Sequence, residues 1–268
     1  MPDLIMFAAV LAVSGALAGL IAGLLGVGGG IVIVPVLFYL LPTAGVPLEL
    51  RMHVAVATSL ATIIATSIVS ARAHHKKGGV DVPLLKSLVI PIAVGVVIGV
   101  ALGGRASGAT LTLVFAIVAL IVSVHMALFQ NRKFSKTGLP GAPWRQGIGV
   151  FIGAFSVVMG IGGGTLSVPI FTLFGLEIRR AVGTAAAIGL IIAVPGTIGF
   201  AISGWGVPDL PPLSVGYVNL IGFILIVPLS MALAPLGAKL AHNIPREWLA
   251  RAFALFLLVT SLRMIASV

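Results

Sequence analysis

The sequence predicts an all-α integral membrane protein made of two homologous four-element halves in an inverted-repeat arrangement. Each half is expected to open with a helix broken by glycine, either re-entrant or discontinuous. Three observations lead there: the composition, a glycine run that occurs twice, and the distribution of positive charge. Of 268 residues, 59% are hydrophobic and only 8% are charged, whereas a soluble domain carries about a quarter charged residues. Such a chain cannot cover its own surface with polar groups, so lipid must cover it.

The charge that is present lies at the edges. All six acids (Asp3, Glu49, Asp81, Glu177, Asp209, Glu247) and nearly all sixteen Lys and Arg residues fall between or at the ends of apolar segments. The net charge of +10 therefore reads as topology signals in short loops. No nucleic-acid-binding signature accompanies it, and no nucleic-acid partner is expected. The chain has no cysteine, which excludes disulfides and thiolate metal sites. Asp3 without a basic flank, followed by an apolar stretch longer than a signal needs, predicts that the first segment is retained.

Apolar segments lie near residues 4–25, 31–41, 54–71, 84–103, 109–129, 147–160, 165–175, 181–204, 214–236 and 248–267. A helical span needs ~20 residues. Segments 31–41, 147–160 and 165–175 are shorter, about 16–21 Å as helices, enough to reach only the middle of a bilayer. They flank the glycine runs. Gly26-Val27-Gly28-Gly29-Gly30, with Pro35 following, returns 134 residues later as Gly160-Ile161-Gly162-Gly163-Gly164 with Pro169. The repeat extends further. Ala55–Ser59 resembles Ala181–Ala185, Leu102–Arg105 resembles Leu236–Lys239, and Phe115-Ala116 matches Phe253-Ala254. The first repeat is thus residues 1–130, the second 147–268, and residues 131–146 form a cytoplasmic linker.

Positive charge orients the halves. If each glycine segment crosses the membrane, the halves are parallel and Lys and Arg divide nine against seven. If each enters and leaves on one side, the halves are inverted. Only Arg51, Arg105 and Arg263 then lie on one side, thirteen against three, a positive-inside asymmetry. The inverted arrangement puts both termini outside. Residues 4–25 are long enough to span alone, so they either cross fully or form one arm of a hairpin, with Ser14-Gly15 a candidate break.

Consecutive glycines break a helix and let another group approach the backbone. The helix restarting at Ile31 or Thr165 points free N–H groups and a positive dipole end at the break, which suits an anion. Membrane transporters place substrate where such broken elements of inverted repeats meet. Close helix packing is the competing use of these glycines. There is no Walker-type Lys-Ser/Thr ending and no GxGxxG spacing. On the next helix Thr58, Ser59, Thr62 and Thr66 form a polar stripe, with Thr184 the repeat match of Thr58. Their hydroxyls either bond backbone and neighbouring helices or face substrate. Asn219, inside the segment 214–236, is a pore group or a link between helices. His53 is expected at the interface, and His125 and Arg263 near helix ends. No acid lies deep in a span, and no zinc-spaced His pair, paired acids or nucleophile elbow occurs. No catalytic residue, metal site or cofactor is expected, and the chain is not read as an enzyme.

The doubled motif resembles the sulfite exporter TauE/SafE family. It is carried by Gly19-Gly23-Gly26 through Pro35, by the looser Gly153-Gly160 through Pro169, and by Ala57-Thr58-Ser59-Leu60. The resemblance covers essentially the whole chain. It implies a multi-pass permease of a bacterial-type inner membrane for small sulfur-containing anions, such as sulfite, sulfoacetate or other organosulfonates, with export the expected direction. Carried over by motif, the substrate-binding residues are Gly28, Gly29, Gly30, Ile31, Gly162, Gly163, Gly164 and Thr165, with Thr58, Ser59 and Thr184 beside them. Ala185-Ala186 stands where the first half has Ser59-Leu60, which favours one site shared by unequal halves. A cation-coupled importer or channel for the same anions, and a non-transporting membrane partner protein, remain the alternatives. The expected partners are the anion and the lipid bilayer, and a homodimer stays open as the assembly.

Overall fold

The computed structural model describes residues 2–25, 29–128, 139–240 and 246–268. It is helical almost throughout: α1 (Pro2–Leu25), α2 (Gly30–Leu40), α3 (Leu48–Lys76), α4 (Val82–Gly103), α5 (Gly108–Leu128), α6 (Trp144–Met159), α7 (Gly164–Leu173), α8 (Ile178–Ser203), α9 (Leu220–Leu240) and α10 (Arg246–Ile265). A 3-10 turn, Leu41–Ala44, closes α2, and a two-residue hairpin, β1 (Ser214–Val215) and β2 (Val218–Asn219), precedes α9. Among the described residues, five helices are long and apolar enough to cross a membrane. Only helices can do so as separate segments, because each satisfies its backbone internally.

Two expectations change. Ser14-Gly15 does not interrupt α1, which runs on as one helix of 24 residues. Ser14 turns its hydroxyl back to the Val10 carbonyl, a bond that satisfies a hydroxyl without ending a helix. The segment beginning at 214 is not helical at its start. Asn219 ends the hairpin and caps α9, its Oδ1 accepting from the Gly222 N–H at 2.8 Å. An apolar run followed by a helix conceals a short hairpin when hydropathy is the only guide.

Long α3 and α8 pack on one another at the centre, and buried Val54, Ala57, Leu60, Ala185, Ile188 and Ile192 lie along them. Around this pair, α1 packs on α9 and α4 on α6. Glycines make both contacts close. Gly15 and Gly19 of α1 sit against the backbone of Ile226 and Ser230. Their matches 134 residues on, Gly149 and Gly153 of α6, sit against Pro91 and Ile92 of α4. Helices in lipid gain nothing from burying apolar surface against each other, so this close approach supplies the attraction. Outward residues stay apolar, as with Ile90 (74% exposed) and Ile202 (69%). Trp144, Trp205 and Trp248 are exposed at or next to helix ends, where indoles favour the membrane interface.

The charged ends fall into two groups. Arg180 pairs with Asp81 at 3.0 Å, which puts the loop before α4 beside the start of α8. At another end, His53 Nε2 bonds the Ala106 carbonyl at 3.1 Å and its ring stacks on Tyr217. Arg51 donates to the Val46 carbonyl there. His53 is only 4% exposed. It is buried among protein groups at this end rather than open to the interface.

A Cβ on Gly153 would collide with the Ile92 carbonyl oxygen, whereas one on Gly147 of the same helix meets nothing within 4 Å. Gly153→Ala should therefore lower stability by about 1–3 kcal/mol through overpacking. Gly147→Ala should raise it by about 0.5–1 kcal/mol through helix propensity. Thermal unfolding of the two variants in detergent separates these outcomes.

Candidate functional site

The second glycine run is described in full. Helix α6 ends at Met159, and Gly160 follows with φ 66° as its C-cap. Gly162 has φ 67°, and α7 begins at Gly164. Two left-handed residues within three positions need glycine, since a Cβ there clashes with the backbone. The end of α6 is capped by the Gly160 N–H to the Val157 carbonyl (3.2 Å) and the Ile161 N–H to the Ser156 carbonyl (3.2 Å). The first bond into α7 is the Ser167 N–H to the Gly163 carbonyl at 3.1 Å. The N–H groups of Gly164, Thr165 and Leu166 precede it and, among the described residues, have no backbone partner.

Of the first run, Gly28 lies outside the described residues, together with Gly26 and Val27. Gly29 is left-handed at φ 74°, and its carbonyl accepts from the Val32 N–H at 3.0 Å, opening α2. Helices α2 and α7 have 11 and 10 residues, ~15–17 Å each, with Pro35 and Pro169 inside them.

The two runs come together. A Cβ on Gly30 would lie 2.5 Å from the Gly160 carbonyl oxygen and 2.9 Å from the Ile161 Cα. Ile63 covers both, its side chain reaching Gly30 and Gly162. Gly163 lies against the Ala185 carbonyl and the Gly189 N–H. Ile63 is in the middle of α3 and Gly189 near the middle of α8, so the meeting point is at half depth in the two central helices. Gly29, Gly30, Ile31 and Gly160 through Thr165 are all buried.

Three buried hydroxyls surround the second run without a hydrogen-bond partner: Ser156, Thr165 and Ser167. Thr165 is 2% exposed and the two serines 0%. The glycine motif leads to Thr165 but not to Ser156 and Ser167. A lone serine in an apolar helix usually bonds its own backbone, and only tertiary packing reveals that these two do not. The remaining site hydroxyls are engaged. Ser59 donates to the Gly160 carbonyl at 2.7 Å, tying α3 to the second break. Thr62 and Thr66 return to carbonyls of their own helix.

Thr58 and Thr184 have matched roles. Thr58 Oγ1 accepts the N–H of Asn219 at 2.9 Å, and Thr184 Oγ1 accepts the N–H of Asp81 at 2.9 Å. Asn219 and Asp81 are themselves the N-caps of α9 and α4, each accepting from the N–H three residues on. Both threonines thus bond a capping residue in the opposite half, one at each end of the bundle.

Asn219→Ala should cost about 1–2 kcal/mol by removing the cap of α9. Thr58→Val should cost about 1–3 kcal/mol by leaving a buried N–H unpaired. Asn219→Ala keeps the backbone N–H that Thr58 accepts, so the two variants report separate bonds, as thermal unfolding of each in detergent would measure.

Proteins of similar sequence are described as membrane transporters. One from Haemophilus influenzae, a "Probable membrane transporter protein", is 38% identical over 251 residues, covering 93% of this chain and 95% of its own. One from Methanocaldococcus jannaschii, likewise described as a probable membrane transporter protein, is 24% identical over 245 residues, covering 90% and 89%. Another, from Bacillus subtilis, is 29% identical over 214 residues, covering 73% and 78%. No solved structure matches.

Residues 11–264 match the sulfite exporter TauE/SafE family, and with helices long and apolar enough to span a bilayer, the chain belongs to that family as a multi-pass membrane transporter.

Proposed function

We propose that this protein is a permease for small sulfur-containing anions, such as sulfite, sulfoacetate or other organosulfonates. It exports them by alternating access about the place where the two glycine breaks meet. One observation carries the reading: at half depth, next to the contact of Gly30 with Gly160, helix α7 begins with unpaired N–H groups beside the unpartnered hydroxyl of Thr165. A buried donor without an acceptor is costly, and an anion at this helix N-terminus would supply the acceptor. Gly29, Gly30, Ile31, Gly162, Gly163, Gly164 and Thr165 form the site in this reading. Ser59 shapes it through Gly160, and Thr58 and Thr184 hold the ends closed.

The halves are inverted in this reading. The pair Asp81–Arg180 supports it, because parallel halves would put those residues on opposite faces of the membrane. The burial of the meeting point supports an occluded state, from which release of the Thr58–Asn219 or the Thr184–Asp81 bond opens one end. A membrane potential negative inside favours anion efflux by about 2.3 kcal/mol per charge per 100 mV, so export needs no coupling ion.

Because the chain has no native cysteine, single cysteines report topology directly. Cysteines replacing Lys77 and Arg179 should be labelled by an impermeant reagent from one face, and a cysteine replacing Arg105 from the other. Labelling of Lys77→Cys and Arg179→Cys from opposite faces would refute the inverted arrangement. A Cβ on Gly163 would collide with the Ala185 carbonyl oxygen. Gly163→Ala should lower stability by about 1–3 kcal/mol through overpacking and reduce sulfite and sulfoacetate flux in proteoliposomes per inserted protein. Wild-type flux should follow the imposed potential, and flux indifferent to potential but dependent on a sodium or proton gradient would replace this mechanism with coupled import.

A further inference from the structure

The hydroxyls near the meeting point are unevenly shared between the halves. Ser156, Thr165 and Ser167 flank the second break, each buried and each without a partner. Their matches 134 residues earlier are Ala22, Ile31 and Ile33, residue types with no hydrogen-bonding side chain. The central helices repeat the bias. Ser59 of α3 donates to Gly160 of the second break, while its match in α8 is Ala185. Ser67 Oγ lies beside Gly189, which itself lies beside Gly163, and the match of Ser67 is Ala193. Hydroxyl-bearing residues of α3, α6 and α7 thus favour the second break over the first, Ser59 by a bond to it. Ile63 closes over both Gly30 and Gly162, and Ile31 and Ile33 are fully buried in the helix that follows the first break.

We propose that the anion is held one-sidedly, by the second break. The N–H groups at the start of α7 and the hydroxyls of Ser156, Thr165 and Ser167 bind its oxygens, and Ile31 and Ile63 form the apolar wall of the site. Ser156 and Ser167 are specificity-determining residues in this arrangement. Three hydroxyls and a helix N-terminus on one side suit an anion with several acceptor oxygens at one end and a short apolar substituent at the other. A spherical halide would leave donors unpaired. The inference rests on the anion-permease reading and adds which half binds and through which side chains.

Binding of methanesulfonate, sulfite and chloride to the purified full-length protein tests it, using wild type and single variants. Ser156→Ala, Thr165→Val and Ser167→Ala should each weaken methanesulfonate binding about tenfold, the loss of one hydrogen bond to a charged group. The mirror variant Ile33→Val should change it less than about twofold, since it keeps an apolar side chain and removes one methylene. Wild type should bind methanesulfonate more tightly than chloride. Removing an unpartnered hydroxyl should also leave thermal stability in detergent equal or higher, whereas Ser59→Ala, which breaks a bond, should lower it. If wild type binds methanesulfonate but the hydroxyl variants match its affinity, or the mirror variant weakens it equally, the one-sided site is wrong and the permease reading stands. If wild type binds neither sulfur oxyanion, both fall. A hydroxyl variant whose stability drops as Ser59→Ala does, with unchanged affinity, assigns that residue to packing and overturns its part in the site.

Discussion

An open stretch of backbone at half depth in a membrane protein must find partners for its polar groups, because hydrocarbon supplies none. The rest of this structure follows from that requirement. Glycines at positive φ end α6, and its cap places the Gly160 and Ile161 N–H groups on carbonyls of α6. The Ser59 hydroxyl satisfies the Gly160 carbonyl. What is left over is a short row of donors at the start of α7 and three hydroxyls without acceptors. Natural interiors rarely leave such groups unpaired, and here they are helix N–H donors together with hydroxyls that can donate or accept.

Holding that break in place requires rigid neighbours close by, and glycine serves a second purpose here. The seats of α1 on α9 and of α6 on α4 are made by glycines at matched positions, where any side chain would push the helices apart. The same logic recurs at the ends of the bundle. Thr58 and Thr184 each accept the N–H of a capping residue from the other half. These bonds lock loops to central helices rather than touching the break. One lock is neutral, through Asn219. The other carries the Asp81–Arg180 ion pair, whose side chains are 14% and 49% exposed. A partly exposed pair of this kind contributes at most about 1 kcal/mol.

Much of the candidate site is legible in the sequence. Two matched glycine runs flanked by half-length apolar segments point to breaks at half depth, and Gly29, Gly30 and Gly160 through Thr165 are found buried there. Asn219 misleads. A polar residue within an apolar run looks like a pore group, but here it caps a helix after a two-residue hairpin. Ser156 and Ser167 stay hidden because nothing in the local pattern distinguishes a serine that bonds its own helix from one that does not.

The sequence by itself determined the class of protein, most of the helical segments and the position of the two glycine runs. These follow from composition and from local spacing, since apolar run length and glycine conformational freedom act within a few residues. Tertiary structure alone decided that Gly30 comes to rest on Gly160, that Thr58 and Thr184 serve as acceptors for capping residues, and which hydroxyls are left without partners. Each of those joins residues far apart in the chain or depends on the absence of a neighbour. Periodicity carries no such information, because a hydroxyl's partner is fixed by which helices pack together.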